Sequence, residues 1–161
     1  MKRSLVPVFI LSLLIAGACS SKPKKSEADL YGTGGASTLE LNGSSDSNSA
    51  GDLRTVYFAF DSAALTDMSK QVLDTNSAFL KENEAINVQI EGHCDERGSV
   101  EYNVALGETR AKSVKTYLAG QGIAAARMTI VSYGKERPLE VNHDETAWSK
   151  NRRANFVITA K

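Results

Sequence analysis

The sequence predicts an α+β fold, a two-layer sandwich in which a mixed four-stranded sheet carries two main helices on one face. Three observations lead there. Regular hydrophobic patterning begins only at Thr55 and then continues to the end of the chain. Within it the period alternates between two residues and about 3.6, in the order strand, helix, strand, helix, strand, strand. Parallel strands joined through a helix need right-handed crossovers, which puts both helices on the same side of the sheet.

Each element has its own signal. Val56, Phe58 and Phe60 alternate with Tyr57 and Ala59, so the first strand is expected to bury the odd-spaced aromatic face. FDS turns the chain, and Thr66 can cap a helix with Asp67 in its first turn. Leu65, Met68, Val72 and Phe79 mark the expected buried stripe of that helix, which should run to about Asn83. Ile86, Val88 and Ile90 alternate with polar partners in a second strand. The polar loop GHCDERGS follows, and Ser99 can cap the second helix. Val104, Gly107, Ala111, Val114 and Leu118 form one face of it, with Gly107 and Ala111 small enough for close packing on the sheet. Gly120 and Gly122 end it. A short turn at Ala124–Arg127 leads to a strand over Met128–Tyr133. Residues 134–149 are polar, contain Pro138 and read as irregular, and Arg153–Thr159 alternates again as the last strand.

Ahead of this domain, residues 1–18 read as an export leader. Lys2 and Arg3 precede an apolar run from Leu5 to Ile15, then the small residues Ala16, Gly17 and Ala18, then Cys19. The apolar run is too short to cross a bilayer, which takes about 20 residues. The stretch resembles a bacterial lipobox, although Ala16 stands where Leu is usual. That resemblance implies cleavage before Cys19 and acylation of its thiol and amine. Several acyl chains, at about 0.8 kcal/mol per buried methylene, anchor far more firmly than one. Ser20, rather than Asp, follows the cysteine, which in enteric-type sorting implies delivery to the outer membrane. Residues 19–53, rich in Gly and Ser and without apolar period, are expected to be a flexible tether. Such a chain spans roughly 30 Å on average and on the order of 110 Å fully extended. The domain is expected to occupy 54–161.

Bulk composition excludes several classes of function. Lys+Arg and Asp+Glu both number 19, so there is no basic excess for nucleic acid. Two cysteines, Cys19 and Cys94, are too few for a disulfide scaffold. His93-Cys94-Asp95-Glu96 contains ligand types, but neighbouring side chains rarely converge on one ion and no zinc spacing is present. For a hydrolase the sequence offers no zinc site, carboxylate pair or cysteine–histidine dyad, since His93 and Cys94 are consecutive and should diverge. No cofactor is called for. His143 reads as a solvated loop residue and Trp148 as an anchor for the long loop.

The blocks VYFAFDSAAL, IEGHCDERGSVEYNVALGETRA, YLAGQGI, SYGKERP and NRRANFVI resemble, in order, the OmpA-like peptidoglycan-binding domain. DERG followed by EYN and ALG is most similar to its lipoprotein members. The resemblance implies a non-enzymatic wall-binding module. Its ligand is the meso-diaminopimelate of the peptidoglycan stem, whose free end carries an ammonium and a carboxylate on one carbon. The family's acid matches Asp95 and its base Arg110, a residue whose planar fork suits carboxylate. Asn103, Leu106 and Arg110 share a helical face that could line a groove. Asp61 and Ser62 match positions that also approach the ligand, and Arg152 is expected at the same groove. Cys94 departs from the family's usual Thr, Ala or Asn; its backbone N–H is expected to remain available to the ligand. The resemblance further implies a periplasmic partner, the β-propeller TolB, and a role in the Tol system that draws the outer membrane inward at division. The alternative is a wall-tethering lipoprotein that works without Tol proteins.

Overall fold

In a computed structural model of the chain, described for residues 40–161, the strands are β1 (Val56–Tyr57), β2 (Asn87–His93), β3 (Met128–Gly134) and β4 (Arg153–Ala160). The helices are α1 (Asp67–Glu82), α2 (Val100–Gly120) and α3 (Glu145–Asn151). The sheet order is β1-β4-β2-β3. β2 and β3 pair in parallel, and β4 runs antiparallel between β1 and β2. This is the mixed four-stranded sheet that the patterning predicts. Cys19 and the residues 1–18 expected as a leader lie outside the described residues.

The helix starts are those expected. Thr66 accepts from the Ser69 N–H to begin α1, and Ser99 accepts from Tyr102 N–H to begin α2, each satisfying an orphan donor. Gly122, at φ 95°, turns the chain beyond α2. The core is made by Val56, Leu73, Leu80, Val88, Ile90, Val114, Leu118, Phe156 and Ile158. α2 lies unusually close to β2, because a Cβ on Gly92 would overlap the Gly107 carbonyl. No helix among the described residues is long and apolar enough to cross a membrane.

Five expectations need correction. The domain does not begin at 54. Residues 40–53 are folded as a strap along β4, with Asn42 N–H donating to the Ile158 carbonyl, Ile158 N–H donating to the Gly43 carbonyl, and a one-turn 3-10 helix at Ser45–Ser47. Ser44 bridges to Val157, and Ala50 and Leu53 are fully buried. The apolar residues Ala50 and Leu53 join the core, and the polar ones meet polar side chains of β4. Asp46 pairs with Arg153 at 2.7 Å, and Ser44, Ser45 and the Asp46 N–H all donate to Asn155 Oδ1.

The buried stripe of α1 is rotated from the expected one. It consists of Ser69, Leu73, Asn76, Ser77 and Leu80, while Met68 is 75 % exposed. Asn76 earns its buried place by hydrogen-bonding both the N–H and the carbonyl of Arg54. The first strand stops at Tyr57, and Phe60 is exposed, because Asp61 adopts φ 52° and swings the chain out of the sheet. On α2, Val104 is exposed although Gly107, Ala111, Val114 and Leu118 are buried as expected. Finally, the stretch read as irregular contains α3, capped by Asp144, which accepts from Ala147 N–H.

Candidate ligand-binding site

The C-terminal end of β2, the loop that follows it, the first three turns of α2 and the turn after β1 line a cavity of about 180 Å³. Six of the eight sequence-predicted site residues line it: Asp61, Cys94, Asp95, Asn103, Leu106 and Arg110. Phe60, Arg97, Gly98 and Tyr102 complete the wall.

Asp95 is 3 % exposed. Its Oδ1 accepts from the backbone N–H and Nε of Arg97, both at 3.1 Å, and its Oδ2 accepts from Arg97 Nη2 at 2.6 Å and Arg152 Nη1 at 3.3 Å. Burial raises the Asp95 pKa, but the hydrogen bonds from Arg97 and Arg152 outweigh it and hold the carboxyl below its ordinary value. Arg152 stands behind Asp95 and outside the cavity wall. It also donates to the Phe58 carbonyl and to Glu145, so it positions the acid.

Arg110 is wholly buried. Nε donates to the Ser62 carbonyl, Nη1 to the His93 carbonyl and to Cys94 Sγ, and Nη2 to the Ala59 carbonyl. Four of its five N–H groups are therefore committed. The guanidinium ties the turn after β1 to the end of β2 and presents its charge, with one remaining N–H, instead of a free fork. Burial lowers its pKa from the ordinary arginine value.

Ser62 thus enters through its carbonyl; its Oγ accepts from Ala64 N–H and does not line the cavity. Asn103 is likewise structural in part, its Nδ2 donating to the Arg97 and Ser99 carbonyls and so shaping the DERG loop. The Cys94 backbone N–H is not available, because it donates to the Gly134 carbonyl at 2.8 Å. Its thiol donates to the Asn103 carbonyl. Cys94 and His93 point apart, with the His93 ring against Tyr133. Among the described residues no three His, Cys, Asp or Glu side chains are placed to share a metal ion.

Sequence reasoning missed Phe60, Arg97 and Tyr102. Tyr102 donates to Asp61 across the cavity mouth. Arg97 was legible in principle, since a side chain two residues after an Asp in a loop readily folds back on it. Trp148 anchors the loop as expected, donating to Glu96 Oε1, which His143 also contacts.

The domain that carries this cavity belongs to a recognised class. Residues 57–152 match the OmpA family. The chain is 46 % identical over 152 residues to the peptidoglycan-associated lipoprotein of Haemophilus influenzae, covering 91 % of this chain and 95 % of that one. It is 41 % identical over 154 residues to the protein of the same name from Pseudomonas aeruginosa, with 91 % of each covered. The crystal structure of the peptidoglycan-associated lipoprotein from Burkholderia pseudomallei superimposes with a TM-score of 0.63 at 43 % identity, covering 65 % of this chain and 89 % of that chain. The chain belongs to the OmpA family and, within it, to the peptidoglycan-associated lipoproteins.

Proposed function

We propose that this protein holds peptidoglycan non-covalently through the cavity between β2 and α2, and so ties the outer membrane to the cell wall. The observation that carries the reading is the cavity itself, which has Asp95 and Arg110 in one wall system and room for the end of a side chain. A diaminopimelate terminus carries one ammonium and one carboxylate, and a site with both signs of charge matches it where a singly charged site would not. Asp61 adds a second carboxylate to the cavity lining. The names of the relatives support peptidoglycan as the ligand. The match to them covers more of the chain than residues 40–161 comprise, which supports the lipobox reading of Cys19 and an anchored N-terminus.

The domain then works as a binding module with no catalytic step. Acyl chains on Cys19 fix one end of the chain in the outer membrane, and the wall is held at the other. The OmpA-family resemblance supports TolB as a second partner and a role in outer-membrane constriction at division; a tether independent of Tol proteins is the competing reading. Sedimentation of the full chain with purified diaminopimelate-type sacculi in mild detergent tests the wall-binding claim. Wild type pellets, Asp95→Ala stays in the supernatant, and sacculi with lysine in place of diaminopimelate capture little of either. Equal pelleting of wild type and Asp95→Ala would refute it. Pull-down by TolB separates the two partner readings.

A further inference from the structure

Asp95 is closed to any ligand in the free protein. Both of its oxygens are occupied, and Arg97 supplies three of the four hydrogen bonds. The two arginines on Asp95 are held very differently. Arg152 is 6 % exposed and fixed by Phe58 and Glu145 as well. Arg97 lies on the outer side with a third of its side chain exposed, and its second carboxylate neighbour, Glu145, is 3.9 Å away. Its guanidinium is sandwiched between the Phe60 ring at 3.9 Å and the Trp148 ring at 4.2 Å. Arg97 is thus the solvent-side partner of Asp95 and Arg152 the inner one, so of the two it is Arg97 that an entering ligand meets.

We propose that Arg97 is the specificity-determining residue of the site: its guanidinium occupies the ammonium position in the free protein, and only a ligand that brings its own cation can replace it. This rests on the peptidoglycan reading above. The exchange of one cation for another keeps Asp95 paired throughout. A ligand without an ammonium would have to strip Arg97 from a buried carboxylate and leave it short of partners, which is costly. The displaced guanidinium has Glu145 nearby, and the vacated gap between Phe60 and Trp148 offers aromatic faces to the ligand's methylene stem. Arg97 thus lowers absolute affinity and raises selectivity for a free amine over an acylated one.

The test follows the chain's one tryptophan, since Trp148 stacks on the group that moves. The full chain in mild detergent is titrated with a stem tripeptide ending in diaminopimelate and with the same peptide N-acetylated at the terminal amine. Affinity is read by calorimetry and Arg97 displacement by Trp148 emission. Wild type should bind the free amine with a change in emission and the acetylated peptide at least about tenfold more weakly without one. Because Arg97 is a partly exposed, charge-assisted competitor, Arg97→Ala should bind the free amine about tenfold more tightly. Arg97→Lys, which keeps the charge but loses the fork, should fall between. Weaker binding by Arg97→Ala than by wild type would make Arg97 a ligand contact and overturn this inference alone. Failure of wild type and Arg97→Ala alike to bind either peptide would overturn the reading of the site with it.

Discussion

Replacing Asp46 by Ala tests whether the strap over residues 40–53 is part of the domain. Asp46 Oδ2 accepts from Arg153 Nε at 2.7 Å, and Oδ1 accepts from Thr55 Oγ1 at 2.8 Å. The two charged side chains are only 11 % and 5 % exposed. Arg153 has other acceptors, the Asn151 and Arg137 carbonyls, but at 3.4 and 3.5 Å they are poor substitutes. Removing one partner of a buried pair strands the other and costs about 3–5 kcal/mol. The low end applies here, since the strap can lift to let water reach Arg153, so we expect about 3 kcal/mol. For a domain of this size each kcal/mol moves the melting temperature by about 4 °C, which predicts a drop of about 12 °C. Asp52→Ala is the matched control on the same strap. Its partner Arg54 is 3.9 Å away with both side chains more than half exposed, and surface pairs of that kind contribute about 0–1 kcal/mol. Thermal melts followed by circular dichroism decide the matter. If Asp46→Ala and Asp52→Ala melt together within about 2 °C of wild type, the strap is peripheral and the stability resides wholly in residues 54–161.

Three further perturbations address the packing and the site. Gly92→Ala forces a methyl into the Gly107 backbone, where neither β2 nor α2 can yield; an extra methylene in a well-packed core costs about 1–3 kcal/mol, and against backbone we expect more than that, read as loss of the cooperative melt. The Cys94 thiol should resist Ellman's reagent in the native protein and react fully in guanidinium chloride, because it is 3 % exposed and burial raises its pKa more than Arg110 pulls it back; fast native labelling would show that the cavity floor opens. Asp95 has a folded pKa below its unfolded one, near 3.9, so its stabilisation is fully present above that value and is lost as pH falls through the lower, folded value. Melts of wild type and Asp95→Asn should accordingly differ by a constant amount from pH 7 to about 4.5 and converge only in stronger acid; convergence already between pH 6 and 5 would contradict the assignment.

The parts of this fold that were legible from sequence are those governed by apolar periodicity and by caps. Val88 and Ile90 in β2, the Gly107–Leu118 face of α2, and Thr66 and Ser99 all behave as their local sequence says. What was illegible depends on partners distant along the chain. The strap looks disordered by composition because Ser44, Ser45 and Asp46 bury no apolar surface; their partners, Arg153 and Asn155, lie more than a hundred residues away. Asn76 could not be seen as buried until Arg54 was beside it. Phe60 continues a perfect alternation, and only the left-handed turn at Asp61 removes it from the sheet. The seven-residue α3 offers just Ala147 and Trp148 as apolar signals, too few to show a period. At the site, the family blocks pointed to Asp95 and Arg110, which line one cavity, but not to the state they are in. That Arg110 spends its donors on three backbone carbonyls and Asp95 spends its oxygens on Arg97 and Arg152 is a property of the folded loops.

The central claim, that the cavity between β2 and α2 receives the diaminopimelate end of the wall peptide, is tested most directly by NMR. A fragment that keeps the strap, residues 36–161, is titrated with the diaminopimelate tripeptide while backbone amides are followed. The largest shifts are expected at Asp95, Arg97, Gly98, Asn103 and Leu106, with those of the exposed loop around Val141 and Asn142 unmoved. Shifts concentrated in that loop, or none at saturating peptide, would contradict it.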